Sequence, residues 1–168
     1  QIIQAGNYHC RDSFKDILRQ YQEEDFRLDW EYRRFYSAYD QIEDATGFEP
    51  LRDLVENIYT NEYLETLLPK WNAAIQEPDA FVALPLQRDF YARNLKNAKE
   101  RTVVIISDAM RYEVGKELFR RMQDDPKCTA KLEVQLSVLP SYTRLGMAAL
   151  LPHTEFTMTD DFKVLIDG

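Results

Sequence analysis

Residues 102–118 read TVVIISDAMRYEVGKEL, and the fold class turns on this run. Thr102 to Ile106 is an unbroken, mostly β-branched stretch that closes on Ser107 and Asp108, the pattern of a strand covered on both faces. From Met110 onward the apolar residues take helical spacing through Val114, Leu118 and Met122. DDPK (124–127) marks a turn, and LEVQLSVL (132–139) alternates as a second strand. RLGMAALL (144–151) reads as a short helix and FKVLID (162–167) as a third strand. This succession predicts an α/β domain with a parallel sheet, with strands at 102–107, 132–138 and about 163–166. The first two are expected to be parallel neighbours joined by a right-handed crossover. Chemistry in such sheets gathers at the carboxyl ends of the strands. Asp108 and Ser141–Thr143 stand at two consecutive ends of this kind.

Upstream the text is helical. Phe14, Ile17, Leu18 and Tyr21 share one helix face, and Leu28, Tyr32, Phe35, Tyr36, Tyr39 and Ile42 repeat the pattern, with Gly47 placed to end that helix. A third run extends from Leu51 through Val55, Ile58, Leu64 and Leu68 to Trp71, where Pro69 is expected to kink or restart the helix. Pro78 and Pro85 mark a loop, and an amphipathic helix is predicted over Leu86–Ala98. The expected organisation is a helical region over 1–100, then an α/β domain over 101–168. The many aromatics of the first region, Trp30, Tyr32, Tyr59 and Trp71 among them, invite a base-stacking reading. They fall at helical spacing in an acidic context, so packing between helices is the better reading.

Composition narrows the function classes. With 45% hydrophobic and 30% charged residues and only five glycines, the chain has the make-up of a soluble, helix-rich protein. No apolar run approaches the roughly 20 residues that span a bilayer. The opening residues lack Met and the basic-then-apolar order of a signal peptide, and read as part of something longer. Cys10 and Cys128 lie far apart without CxxC partners, which points to a reducing cytoplasm. Residues 1–100 hold 12 Lys and Arg against 19 Asp and Glu, whereas 101–168 hold 9 against 10. An acidic first half repels nucleic acid and membrane surfaces at long range. The basic run RNLKNAKER (93–101) is a local exception and reads as a solvated helix end.

The two strand ends carry the candidate chemistry. Asp108 is either a helix N-cap or a metal ligand facing a cleft. Thr143 and Ser141 are either caps, or hydroxyls beside a helix N-terminus whose amides suit a phosphoryl group; one of them would then attack phosphorus with a metal's help. Spacing alone leaves both choices open. Gly146, Ala148 and Ala149 let the second helix pack closely. A Ser-His-Asp triad would have to use His153, ten residues beyond Thr143, in poor geometry. Glycine-rich phosphate loops and closed Cys/His zinc sites are missing from the text.

VVIISDAMRYEVGKEL (103–118) and LSVLPSYTRLGMAALLP (136–152) together resemble the PglZ family, a branch of the alkaline phosphatase superfamily. The likeness is to the PglZ forms of BREX bacteriophage-resistance systems. YRRFYSAYD (32–40), VENIYTNEYLETLLPKW (55–71) and LQRDFYARN (86–94) resemble the region before the PglZ core. The resemblance implies the first part of an alkaline-phosphatase-like parallel sheet and a metal-dependent phosphoester hydrolase, phosphatase or phosphodiesterase, of a bacterial phage-defence system. It implies Asp108 as a metal ligand and Thr143 as the nucleophile, itself metal-bound, with Ser141 second choice. Zinc is the usual ion of the superfamily, two per site. Arg144 and Arg111 are candidate phosphate contacts, each more simply read as a solvated or salt-bridged arginine. The superfamily's remaining Asp and His ligands follow in later strands, beyond the VLIDG that closes this text, so the expected site is a half-site, inactive and weak for zinc on its own. Expected partners are other defence-system proteins and a phosphoester substrate, nucleic acid among the options, with no membrane; the piece is also expected to self-associate. The competing expectation is a non-catalytic assembly or regulatory subunit that docks through its helical half.

Overall fold

The computed structural model describes residues 7–77, 79–82 and 84–167, so Pro78, one mark of the expected loop, lies outside the described residues. The chain divides into two compact units, one formed by residues up to Ala80 with Arg111–Ala130 and one by Phe81–Met110 with Lys131–Gly168.

The first unit is helical. Helix α1 (Phe14–Gln20) starts at Ser13, whose Oγ accepts from the Asp16 amide (3.2 Å) and donates to the Asp16 carboxylate (2.8 Å), a reciprocal cap that satisfies an orphan N–H. It runs through a π-helical segment (Tyr21–Asp25) into α2 (Phe26–Tyr39). A second long helix has the same construction: α3 (Glu49–Asn57), a π-helical segment (Ile58–Leu64) and α4 (Glu65–Ala74). Pro69, expected to interrupt this helix, lies inside α4. The carbonyl it leaves without a donor belongs to Glu65, the first residue after the π segment, where the hydrogen-bond register is already changing. Gly47 (φ 92) ends a turn ahead of α3 instead of terminating α2, which stops at Tyr39.

Aromatic packing holds these helices together, as their spacing predicts. Tyr63 is 1% exposed and meets Tyr8 edge-on, Phe14 lies against Trp71, and Tyr32 stacks on Tyr59 at 3.7 Å. Two buried carboxylates sit among the rings. Asp25 accepts from the Tyr8 hydroxyl at 2.6 Å, and burial pushes its carboxyl above the usual carboxylate range. Glu113, on α6 (Tyr112–Gln123), is bound by the Arg33 guanidinium of α2. Each is a charge that the packing tolerates only because it is partnered.

The second unit holds α5 (Phe90–Asn94), α7 (Thr143–Leu150) and a hairpin of β1 (Phe156–Met158) and β2 (Val164–Ile166). The helix expected over Leu86–Ala98 is a 3-10 turn (Gln87–Asp89) followed by the short α5. Leu145, Ala148 and Ala149 form the buried face of α7, and Ala149 is fully covered.

The parallel sheet expected over 102–107 and 132–138 is absent among the described residues. Residues 101–107 join no ladder, and Val103 and Ile105 are 73% and 87% exposed. A strand covered on both faces needs a bonded neighbour and packed helices, and its own composition supplies neither. The expected crossover helix α6 packs within the helical unit through Glu113, leaving its apolar residues Val114, Leu118 and Met122 exposed. Residues 131–138 keep the alternating burial of a strand, but their ladder is a single parallel bridge, Leu86 to Leu136. The third expected strand forms as β2 but pairs antiparallel with β1, Phe156 opposite Ile166 and Met158 opposite Val164.

Candidate active site

In the second unit a cleft of about 580 Å³ opens between the 106–110 turn, the 137–143 segment and α7. Its polar lining is Gln87, Ser107, Asp108, Ser137, Ser141 and Thr143. The two stretches that sequence reading singled out as strand ends therefore border one cavity.

Asp108 occupies a tight turn. Its Oδ1 accepts from the Ala109 amide at 3.0 Å, and Ala109 takes the left-handed conformation (φ 52). That conformation is costly for a residue with a side chain. Asp108 is not the cap of the next helix: α6 begins at Tyr112, and Arg111 holds its N-cap position.

Thr143 is the first residue of α7. The N-cap position is Tyr142, in extended geometry (φ −92, ψ 131), and no side chain caps the helix. The first backbone bond of the helix is Gly146 N–H to the Tyr142 carbonyl at 2.9 Å, so the amides of Thr143, Arg144 and Leu145 precede the ladder. Neither the Ser141 nor the Thr143 hydroxyl has a hydrogen-bond partner among the described residues. An uncapped helix start, with the field of its amides directed outward, suits an anion.

The two arginines lie elsewhere. Arg144 follows Thr143 on α7 and is not part of the cleft lining; Arg111 belongs to the helical unit. His153 is engaged structurally, with Nδ1 at 2.8 Å from the Leu151 carbonyl and its ring edge-on to Phe156 at 4.7 Å.

Sequence reading overlooked Gln87. Its side chain joins the cleft wall, its Oε1 accepting from the Val138 amide (3.1 Å) and its Nε2 donating to the Gly146 carbonyl (3.3 Å). Periodicity carries no signal for a residue whose partners are distant backbone atoms; a glutamine directly after Leu-Pro-Leu was the only hint.

As a metal centre the cleft offers one carboxylate and several hydroxyls. No group of three or more His, Cys, Asp or Glu side chains among the described residues is placed to hold a cation. The residues present fit one ligand position of a multi-ligand site, not the whole.

Residues 89–168 match the family described as the BREX system PglZ alkaline phosphatase-like domain. The chain is 41% identical over 174 residues to the alkaline phosphatase-like protein PglZ of Bacillus cereus (strain H3081.97), covering 99% of this chain and 20% of that protein. It is 39% identical over 160 residues to the alkaline phosphatase-like protein BrxZ of Escherichia coli O9:H4 (strain HS), covering 88% of this chain and 18% of that protein. The chain thus spans about a fifth of the length of these curated relatives. No solved structure matches significantly.

Proposed function

We propose, from the premise that this chain belongs to the PglZ family, that its cleft forms part of the phosphoester-hydrolysing centre of a BREX phage-defence protein. The observation that carries the proposal is that Asp108 and Thr143 border one cavity while neither serves as a helix cap. In this reading the Thr143 Oγ1 attacks phosphorus, the bond from phosphorus to the ester oxygen breaks, and the alcohol leaves with a proton. Water then cleaves the phosphothreonine, returning the hydroxyl and releasing phosphate or a monoester. The first-turn amides of α7 receive the phosphoryl oxygens. Divalent cations, two zinc ions by family likeness, supply positive charge for this chemistry when bound; Asp108 is the carboxylate this chain would offer them, and the remaining ligands would come from elsewhere in the complete protein.

Other BREX proteins are the proposed partners, in the bacterial cytoplasm; no described helix is long and apolar enough to cross a membrane. A second reading, a docking role for the helical unit, draws on the exposed stripe of Val114, Leu118 and Met122 along α6.

Kinetics of the complete protein on p-nitrophenyl phosphate and bis(p-nitrophenyl) phosphate test the catalytic reading. Thr143→Ala should lower kcat by about 10³ or more, with metal content and melting temperature unchanged. Ser141→Ala should cost no more than about threefold. Equal losses would refute Thr143 as nucleophile, and a wild-type protein inert to both esters would favour docking.

A further inference from the structure

We infer that Gln87 is a positioning residue for the cleft: a single amide side chain holds both flanks of the turn that presents Thr143. This rests on the hydrolytic reading of the cleft. The backbone of the same residue contributes first. Gln87 N–H donates to the Leu136 carbonyl at 2.9 Å and Leu136 N–H to the Pro85 carbonyl at 2.8 Å, the pair that makes the parallel bridge. The side chain then reaches past it, accepting from Val138 N–H at 3.1 Å and donating to the Gly146 carbonyl at 3.3 Å.

Val138 lies upstream of Thr143, at the end of the alternating segment, and Gly146 lies one helical turn downstream. What happens to Gln87 is therefore transmitted to Pro140–Thr143 from both sides. The partners dictate the residue type. One is a donor and the other an acceptor, so the side chain must carry both functions on one planar group. Glutamate can accept but not donate, lysine can donate but not accept, and asparagine is one methylene too short to reach. The alternatives, a polar groove around His9, Cys10 and Asp12 and an apolar one around Leu67 and Trp71, hold nothing that names an occupant.

The test uses the complete protein with Gln87→Ala and Gln87→Glu, read by amide hydrogen exchange and by zinc-supported hydrolysis of bis(p-nitrophenyl) phosphate. Gln87→Ala should speed exchange of the Val138 amide about tenfold, leave Ala148 and Ala149 protected, and lower kcat about tenfold with KM and metal content unchanged. Gln87→Glu keeps an acceptor for Val138 and should restore its protection, while recovering only part of kcat. Faster exchange with wild-type kcat would overturn positioning and leave a structural brace. Unchanged exchange in Gln87→Ala would overturn the clamp itself. If Gln87→Ala unfolds the unit, Gln87→Glu decides: folded with Val138 unprotected, it overturns the clamp, and with Val138 protected and kcat reduced, it supports it. A wild-type protein without turnover refutes the hydrolytic reading and positioning with it, and Val138 exchange then judges the clamp alone.

Discussion

Removing the Arg33 side chain should destabilise the helical unit more than removing the Glu113 carboxylate it binds. Glu113 is 1% exposed and depends on this guanidinium, so Arg33→Met strands a buried charge. Breaking a buried pair from one side costs about 3–5 kcal/mol. Arg33 is 38% exposed, so water can approach the orphaned carboxylate, and the expected loss falls to about 2–3 kcal/mol. Glu113→Leu removes the charge and fills the space with methyl groups, and should cost no more than about 1 kcal/mol. The double variant should therefore be more stable than Arg33→Met alone, a coupling of about 1 kcal/mol or more. Urea unfolding followed by tryptophan fluorescence suits the measurement. The chain has two tryptophans, Trp30 and Trp71, both in the helical unit, and Trp30 lines the same groove as Glu113. A loss below about 0.5 kcal/mol for Arg33→Met, or simple additivity in the double variant, would refute the reasoning.

Asp25 gives a pH-dependent counterpart. Burial raises its folded-state pKa above the unfolded value near 3.9, with the Tyr8 and Gln20 bonds opposing the rise. The folded state thus holds this proton more tightly, and stability is lost as pH rises through that window. Asp25→Asn, which keeps an acceptor for the Tyr8 hydroxyl, should raise the urea midpoint at pH 7 and change it little at pH 4; equal effects at both would count against the assignment. The exposed run at Val103–Ile106 predicts association of the isolated 168-residue chain, seen as a dimer or larger species by light scattering after size exclusion. Ile105→Glu, at a side chain 87% exposed, should shift it toward monomer without altering the tryptophan-monitored midpoint. A wild-type chain that is already monomeric at high concentration would refute this.

What sequence could announce here was set by the range of each interaction. Helices were legible because the contacts that define them recur every three or four residues, as in Phe14, Ile17 and Leu18. Asp108 and Thr143 were found as ends of apolar runs, and the structure brings both to one cleft. The sheet was misjudged because Val103–Ile106 states a preference for burial on two faces without stating what would cover them. Nothing local marked Asp25 and Glu113 as buried, since their partners Tyr8 and Arg33 stand 17 and 80 residues away. Gln87 was invisible for the same reason, with bonds to residues 51 and 59 positions on.

The π segments at Tyr21–Asp25 and Ile58–Leu64 bear on which length changes the gene can tolerate. A π turn takes up an additional residue within a helix, so deleting one inside the segment lets the helix run on in α register with the downstream faces nearly in place. Deleting one from the regular helix beyond it turns everything downstream by about 100°. Early in α2 that swing would carry Arg33 away from Glu113, and Tyr32 and Tyr36 away from Glu56, whose carboxylate both hydroxyls reach at 2.7 and 2.6 Å. A one-codon loss should be tolerated inside the π segments and purged from the first turns of α2, whereas the connection between Tyr39 and Glu49 can lengthen or shorten without rotating either helix.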